Sequence, residues 1–242
     1  MMVMKDESED YFIKMNQIFD VPFSLPIVGP SKVSGKTNII GNLLLCDEFY
    51  RGIFQPENIY VICPTIDVDG KWLSIIKQLG IPPPNIYRTY SEKQLNTLCA
   101  KIESDYAMAR ASGDLPPYVL IVFDDCAHSG SLKKHQIGFI SKLYCNLRHF
   151  NVSSIITAQK YTQVSTIARS NCTGLMIFAC GGSDGDLLYE DVGFAMPRKK
   201  FIQTYQRVAF QPHSFLVYNK TNPPYERFLD SSWCPIKMPY TV

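Results

Sequence analysis

The chain has 242 residues, 46% of them hydrophobic, with 24 Lys plus Arg against 22 Asp plus Glu and a formal net charge of +2. That length and apolar content suit one large domain or two small ones around a buried core. The near balance of charge excludes a polybasic nucleic-acid coat and an acidic tail, so any nucleic-acid contact must be local.

The segment Lys5-Asp6-Glu7-Ser8-Glu9-Asp10 is acidic where a signal peptide is basic and then apolar, and no apolar run reaches membrane-spanning length. A soluble chain without a membrane span is expected. Residues 1–21 read as an N-terminal extension, 22–219 as the core and 220–242 as a C-terminal tail, all within one domain. Phe23 to Val28 is a short apolar strand, and Asn38 to Phe49 carries Ile39, Ile40, Leu43, Leu44 and Phe49 at helical spacing.

Between them lies Pro30-Ser31-Lys32-Val33-Ser34-Gly35-Lys36-Thr37, which ends in the Gly-Lys-Thr of a phosphate-binding P-loop, in the strand-to-helix context the motif requires. In such a loop the successive backbone N–H groups of Ser31 to Asn38 point into an anion hole, and the helix N-terminus adds its partial positive charge. Lys36 is then placed for the β- and γ-phosphates of ATP, and the Thr37 hydroxyl for Mg²⁺. Lys32 is a further loop cation that either faces phosphate or is exposed. The usual pattern begins with glycine, whereas this chain has Pro30 there and Gly29 one residue earlier. Proline removes one donor and stiffens the turn.

Further along, Asn58 to Cys63 reads as a strand ended by Pro64, Lys71 to Leu79 as a helix, Asn85 to Thr89 as a short strand, and Ser91 to Ala111 as a capped helix. Tyr118 to Phe123 is a continuous apolar run, as expected of a strand buried on both faces of a parallel sheet, and it ends in Asp124-Asp125. This is the Walker B pattern. Its first carboxylate, Asp124, is the candidate Mg²⁺-binding group, and Asp125 is the candidate base for the attacking water.

A helix from His135 to Arg148 follows, then a strand Val152 to Thr157 leading into Ala158-Gln159, where a polar side chain can touch the γ-phosphate or the lytic water. Arg148, and Arg169 in the polar stretch beyond, are candidates for a guanidinium that completes a neighbouring subunit's site, an effect worth roughly 10³ or more in rate. The alternative for Arg148 is an ion pair with an acid at its helix end, and for Arg169 a surface position. Leu175 to Cys180 reads as a strand, Gly181 to Gly185 as a turn, the stretch to Ala209 as helical, and Phe215 to Tyr218 as a strand. Residues from Pro223 onward are expected to wrap the surface.

Arg198-Lys199-Lys200, with Arg207 beyond and Phe201 and Tyr205 interleaved, is the best local basic patch; it reads either as a grip on a DNA backbone or as a solvated helix face. The loop Ser129 to Lys134 is the next place to seek a DNA path. His128, His135, His149 and His213 lack ligand spacing and are assigned to no metal. The eight cysteines show no C-x-x-C pair, which predicts reduced thiols in a cytosolic or nuclear compartment.

Taken together, Pro22-Phe23 ahead of the P-loop, Cys63-Pro64-Thr65, Phe123-Asp124-Asp125, Asn146-Leu147-Arg148-His149, the strand capped by Gln159, and Ala168-Arg169-Ser170-Asn171 resemble the poxvirus-type genome-packaging ATPases of large double-stranded DNA viruses, within the FtsK–HerA group of P-loop translocases. The likeness covers roughly residues 21 to 220. It implies an α/β, RecA-like, mostly parallel sheet with helices on both faces and an added strand between the Walker A and Walker B strands. It also implies a homo-oligomeric ring that uses ATP and Mg²⁺ to drive double-stranded DNA into a preformed capsid. Capsid or inner-membrane proteins at the packaging vertex are the implied partners, and the viral factory in the cytoplasm, or the virion itself, the implied location. Two rival readings share some of these features. A nucleotide or nucleoside kinase needs a lid with clustered arginines, which is not legible here, and a non-enzymatic nucleotide-dependent scaffold has no need of both acids.

Overall fold

The computed structural model of the chain describes residues 18–31, 33–126, 138–193 and 195–238. Its frame is built from short apolar runs closed by turn formers. β1 (Ser24–Val28), β2 (Ile59–Ile62), β3 (Ile86–Tyr87), β4 (Val119–Phe123), β5 (Val152–Ala158), β6 (Gly174–Phe178), β7 (Phe215–Asn219) and β8 (Phe228–Leu229) form one sheet in the order β3-β2-β4-β5-β1-β6-β7-β8. The pairs from β3 to β6 are parallel, while β7 and β8 add antiparallel at one side. Walker strands β1 and β4 are therefore separated by β5, which is the added strand the resemblance implied.

Alternation along each strand feeds two cores. Leu25, Ile27, Leu120 and Val122 face α1 (Lys36–Leu45) and α2 (Gly70–Leu79). Ile121, Phe123, Ile156 and Ile177 face the other layer, which holds α3 (Glu92–Ser112), α4 (Phe139–Cys145), α5 (Thr166–Asn171), α6 (Gly182–Leu188) and α7 (Arg198–Ala209). Local signals set several helix ends. Asp69 accepts from the Lys71 N–H at the start of α2, and Gly80 ends that helix at φ 71°. Ser91 caps α3, which closes on Gly113 at φ 79°.

Register decides where the strands finish. Phe123 lies beside Ile156, and Val28 beside Ala158. The segments that follow β1, β4 and β5 thus emerge together at the C-terminal edge of the sheet, where parallel α/β folds place their ligands.

Several boundaries differ from the expectations. The first helix stops at Leu45 rather than Phe49 because Cys46 is extended, and the turns after it fold back so that the Tyr50 N–H donates to Leu43 O. The strand expected over 85–89 shrinks to Ile86–Tyr87 because Pro83–Asn85 forms a 3-10 turn. The helix expected from His135 to Arg148 is described only from Phe139. It ends at Cys145, with Arg148 in a following 3-10 turn. The polar stretch around Arg169 is a helix, α5, whose N-cap Ser165 accepts from the Ala168 N–H. The tail does more than wrap the surface, since β8 extends the sheet through β7 and buries Phe228 and Leu229.

Close packing at the sheet's N-terminal edge gives a test. A Cβ added at Gly174 would overlap the Phe19 ring, and Phe19 is itself buried against Phe23. Gly174→Ala is expected to destabilise the fold by about 1–3 kcal/mol in denaturant unfolding while leaving nucleotide affinity unchanged, because this edge is the far end of β6 from the P-loop.

Candidate nucleotide site

Only glycine fits at Gly29. A Cβ there would approach Phe178 Cδ2 and Ser34 Cβ at 2.8 Å. The close backbone approach that the usual first glycine allows is thus met one residue early, which explains how Pro30 is accommodated. Gly35 at φ 78° turns the chain into α1. Within the loop, the Ser34 hydroxyl donates to Pro30 O at 2.6 Å. The Lys36 ammonium folds back to donate to Gly29 O at 2.7 Å and, more weakly, to Pro30 O at 3.4 Å. Burial pushes the Lys36 ammonium below its ordinary pKa, while the negative charges of Asp124 and Asp125 pull it the other way.

Asp124 leaves the end of β4 and is 4% exposed. Its Oδ2 accepts from the Thr37 hydroxyl at 3.0 Å and from the Trp72 indole N–H at 2.7 Å, and its Oδ1 accepts from the Thr157 hydroxyl at 2.6 Å. Thr157 Oγ1 accepts in turn from the Asp125 N–H at 3.2 Å. Asp125 itself sits at φ 54°, a left-handed conformation that Asp tolerates better than most residues and that often marks functional turns.

These groups border a cavity of about 350 Å³ lined by Ser31, Gly35, Lys36, Thr37, Thr65, Asp69, Lys71, Asp124, Asp125, Thr157, Ala158 and Gln159. A shallower groove of about 820 Å³ runs along the β3 side past Tyr60, Tyr87 and Lys101 and contains none of the P-loop or Walker B residues. The smaller cavity is bordered by two lysines, Lys36 and Lys71, by three aspartates, Asp69, Asp124 and Asp125, and by the hydroxyl residues Ser31, Thr37, Thr65 and Thr157, beside a turn with left-handed glycine. Hydroxyl and carboxylate oxygens are the hard donors that Mg²⁺ requires, and Lys36 with the loop N–H groups suits a polyphosphate.

Expected site residues divide three ways. Ser31, Gly35, Lys36, Thr37, Asp124, Asp125 and Gln159 border the cavity. The Ser34 side chain instead closes the loop on itself, and Val33 and Asn38 are exposed outside the lining. Lys32, and His128 and His135 with the loop Ser129 to Lys134, lie outside the described residues.

Neither arginine lines the cavity. Arg148 is exposed in the turn before β5, at the sheet's N-terminal edge. The Arg169 side chain is 10% exposed; it pairs with Asp191 at 2.6 Å and stacks over Tyr161. It is not displayed on the surface. In the basic patch, Arg198, Lys199 and Lys200 are all exposed, and Arg198 pairs with Asp186 at the surface. Phe201 and Tyr205 are buried in the core, so they do not interleave with the cations at the surface.

Sequence pattern does not single out Asp69, Lys71, Trp72 or Thr157, and it marks Thr65 only within Cys63-Pro64-Thr65, with no role at the site. A topological signal was available: β2 lies beside β4, so the turn after β2 must reach the same edge as Asp124.

The family described as Poxvirus A32 protein matches residues 10–214. No curated protein matches the chain. The genome packaging NTPase B204 from Sulfolobus turreted icosahedral virus 2, solved in complex with sulfate, is similar with a TM-score of 0.56 and 12% identity, over 88% of this chain and 96% of that one. The same protein in complex with ATP-gammaS gives 0.54 and 10% identity, over 90% and 98%. EssC (ATPases 2 and 3) from Geobacillus thermodenitrificans gives 0.50 and 16% identity, over 71% of this chain and 34% of that one. At such identities the likeness is one of fold, that of a P-loop NTPase.

The buried hydroxyl of Thr157 gives a test of this network. Thr157→Val keeps the side-chain shape but leaves both Asp124 Oδ1 and the Asp125 N–H without their partner, and is expected to cost about 1–3 kcal/mol of stability in denaturant unfolding. Mutation of exposed Thr97, by contrast, should change stability by no more than about 0.5 kcal/mol.

Proposed function

The chain belongs to the poxvirus A32 family, and on that premise we propose that it is an ATP-hydrolysing motor that moves viral double-stranded DNA into a preformed capsid. The observation that carries the reading is the contact between Thr37 Oγ1 and Asp124 Oδ2 at the foot of a P-loop cavity that also holds Lys36 and Asp125. The names of its structural neighbours, genome packaging NTPases solved with nucleotide analogues, support the same reading.

In this mechanism Lys36 exchanges the carbonyls of Gly29 and Pro30 for the β- and γ-phosphate oxygens of ATP, assisted by loop N–H groups. Thr37 and Asp124 would hold Mg²⁺, which would supply positive charge against the phosphates when bound. Asp125 takes a proton from a water placed in line with the γ-phosphorus. As the water oxygen bonds to phosphorus, the bond to the β,γ-bridging oxygen breaks and its electron pair leaves with ADP. Gln159, at the end of the inserted strand, orients that water or the γ-phosphate.

Arg148 is the arginine that a second copy could use, since it is exposed and at the opposite edge of the sheet from its own P-loop. Arg169 is committed to Asp191 within its own chain. For DNA, Lys199 and Lys200 are exposed cations of the α7 patch, beside Arg198, which Asp186 partly neutralises, and they contact phosphate without reading sequence. Capsid or inner-membrane proteins at the packaging vertex, in the viral factory or the virion, are the partners this reading calls for. Among the described residues no helix is long and apolar enough to cross a membrane.

Phosphate release measured with and without duplex DNA, beside nucleoside phosphorylation, tests the activity. Lys36→Ala is expected to lower ATP turnover at least about 100-fold with the fold intact. Asp125→Asn should bind ATP and fail to hydrolyse it. Normal turnover in Lys36→Ala would remove the P-loop reading, and nucleoside phosphorylation would turn it toward a kinase. Mixing Arg148→Ala with Lys36→Ala subunits should restore part of the activity, because one intact arginine then meets one intact P-loop.

The DNA contact has its own test. Changing Lys199 and Lys200 together to alanine should reduce the slope of log affinity against log salt by about two units per subunit contact and abolish DNA stimulation while sparing basal hydrolysis. An unchanged slope would make the patch a solvated face.

A further inference from the structure

Nothing intrinsic to an aspartate fixes the plane of its carboxylate, because its terminal torsion is broad and roughly two-fold. Asp124 is held instead by three donors. Two of them, the hydroxyls of Thr37 and Thr157, are rotors with other tasks: Thr157 Oγ1 also accepts from the Asp125 N–H, and Thr37 faces the cavity. The third is different in kind. Trp72 has no exposed surface, packs in the core with Ile75, and has only its indole N–H to donate, which it does to Asp124 Oδ2 at 2.7 Å. A buried indole N–H needs an acceptor and a buried carboxylate needs donors, so each satisfies the other.

A carboxylate offers four acceptor positions. Thr37, Thr157 and Trp72 fill three of them. Both positions on Oδ2 are taken, and one on Oδ1 remains for the shell of a cation. The Trp72 donor comes from α2, beside Lys71, which lines the cavity, and from neither Walker motif.

We propose that Trp72 is the positioning residue of the cation site: its indole N–H holds the Asp124 carboxylate in one orientation whether or not nucleotide is present, and so sets the affinity for the divalent ion. This rests on the reading of Asp124 as the cation-binding carboxylate, and the test separates the two.

The probe is Mn²⁺, with free ion read by electron paramagnetic resonance in the presence of ATPγS, so turnover is not required. Trp72→Phe keeps the ring packing and removes the N–H. It is expected to weaken Mn²⁺ binding about tenfold, with ATPγS affinity in the absence of metal changed less than about twofold. Asp124→Ala should weaken Mn²⁺ binding at least as much. If Asp124→Ala binds Mn²⁺ normally, the cation reading of Asp124 fails and the proposal fails with it. If Asp124→Ala loses affinity and Trp72→Phe does not, the proposal alone is overturned.

A second measurement keeps Trp72 in place in case Trp72→Phe does not fold. The chain has two tryptophans, and Trp233 packs between Phe49 and Phe215, where phenylalanine can replace it. In Trp233→Phe protein with ATPγS, Mg²⁺ should change the emission of Trp72 saturably, with a midpoint that Asp124→Ala shifts to higher concentration. Flat emission across the titration would overturn the proposal.

Discussion

The site depends on keeping one charged carboxylate, that of Asp124, in a nearly dry position. An ionised group removed from water is costly unless it is hydrogen-bonded on most sides. Here the donors come from three elements distant in sequence: Thr37 on α1, Trp72 on α2 and Thr157 on β5. None can supply its bond unless the sheet is in register. Phe123 pairs with Ile156, which places Thr157 beside the residue that follows β4. A slip of one residue would turn Thr157 to the other face and leave the carboxylate short of a partner. Burial of Asp124 therefore couples the P-loop helix, the neighbouring helix and the inserted strand to one arrangement.

Lys36 shows the complementary economy for positive charge. Its ammonium is turned onto the carbonyls of Gly29 and Pro30, and desolvation lowers its pKa despite the two nearby aspartates. Backbone carbonyls are neutral partners, weaker than a phosphate oxygen carrying charge. A polyphosphate in the cavity thus offers the ammonium a better partner than the loop does, at the cost of a short swing rather than a refolding. The loop itself stays shaped by Gly29, where a side chain would strike Phe178, and by Gly35 in the left-handed region.

Much of this was legible in the sequence because both Walker segments are local. Gly35, Lys36 and Thr37 are consecutive, and Asp124 and Asp125 end an apolar run whose burial is visible in its composition. One added strand between the two Walker strands was also readable through the family resemblance, and β5 lies where it implied. What escaped was non-local. Trp72 reads from sequence as an apolar residue on a helix face, and only the adjacency of β2 and β4 brings its N–H to Asp124. Thr157 reads as a strand residue, and only register makes it a donor. The helix α5 was obscured because six residues, Thr166–Asn171, are too few for a periodic signal. Phe201 and Tyr205 were ambiguous for the opposite reason, since aromatic residues four apart on α7 mark the buried stripe of an amphipathic helix as readily as a stacking surface.

Placement of the arginines bears on whether one chain can be complete. β5 has seven residues, so at about 3.3 Å per residue its ends are roughly 23 Å apart. Asp125 and Gln159 lie at one end and Arg148 at the other. No rotamer of an arginine spans that distance. Arg169 is nearer in the chain to Gln159 but is held by Asp191, whose carboxylate also accepts from the Tyr161 hydroxyl; releasing it would strand a largely buried charge. The nucleotide cavity of one chain therefore has Lys36 and Lys71 as its lining cations among the described residues and no guanidinium. Under the proposed function, the transition-state charge that these lysines leave unmatched is what a second copy would neutralise. The exposed edge bearing Arg148 is then the surface that must meet the P-loop edge of its neighbour, a head-to-tail contact of the kind that makes a ring when its rotation closes and an open filament when it does not.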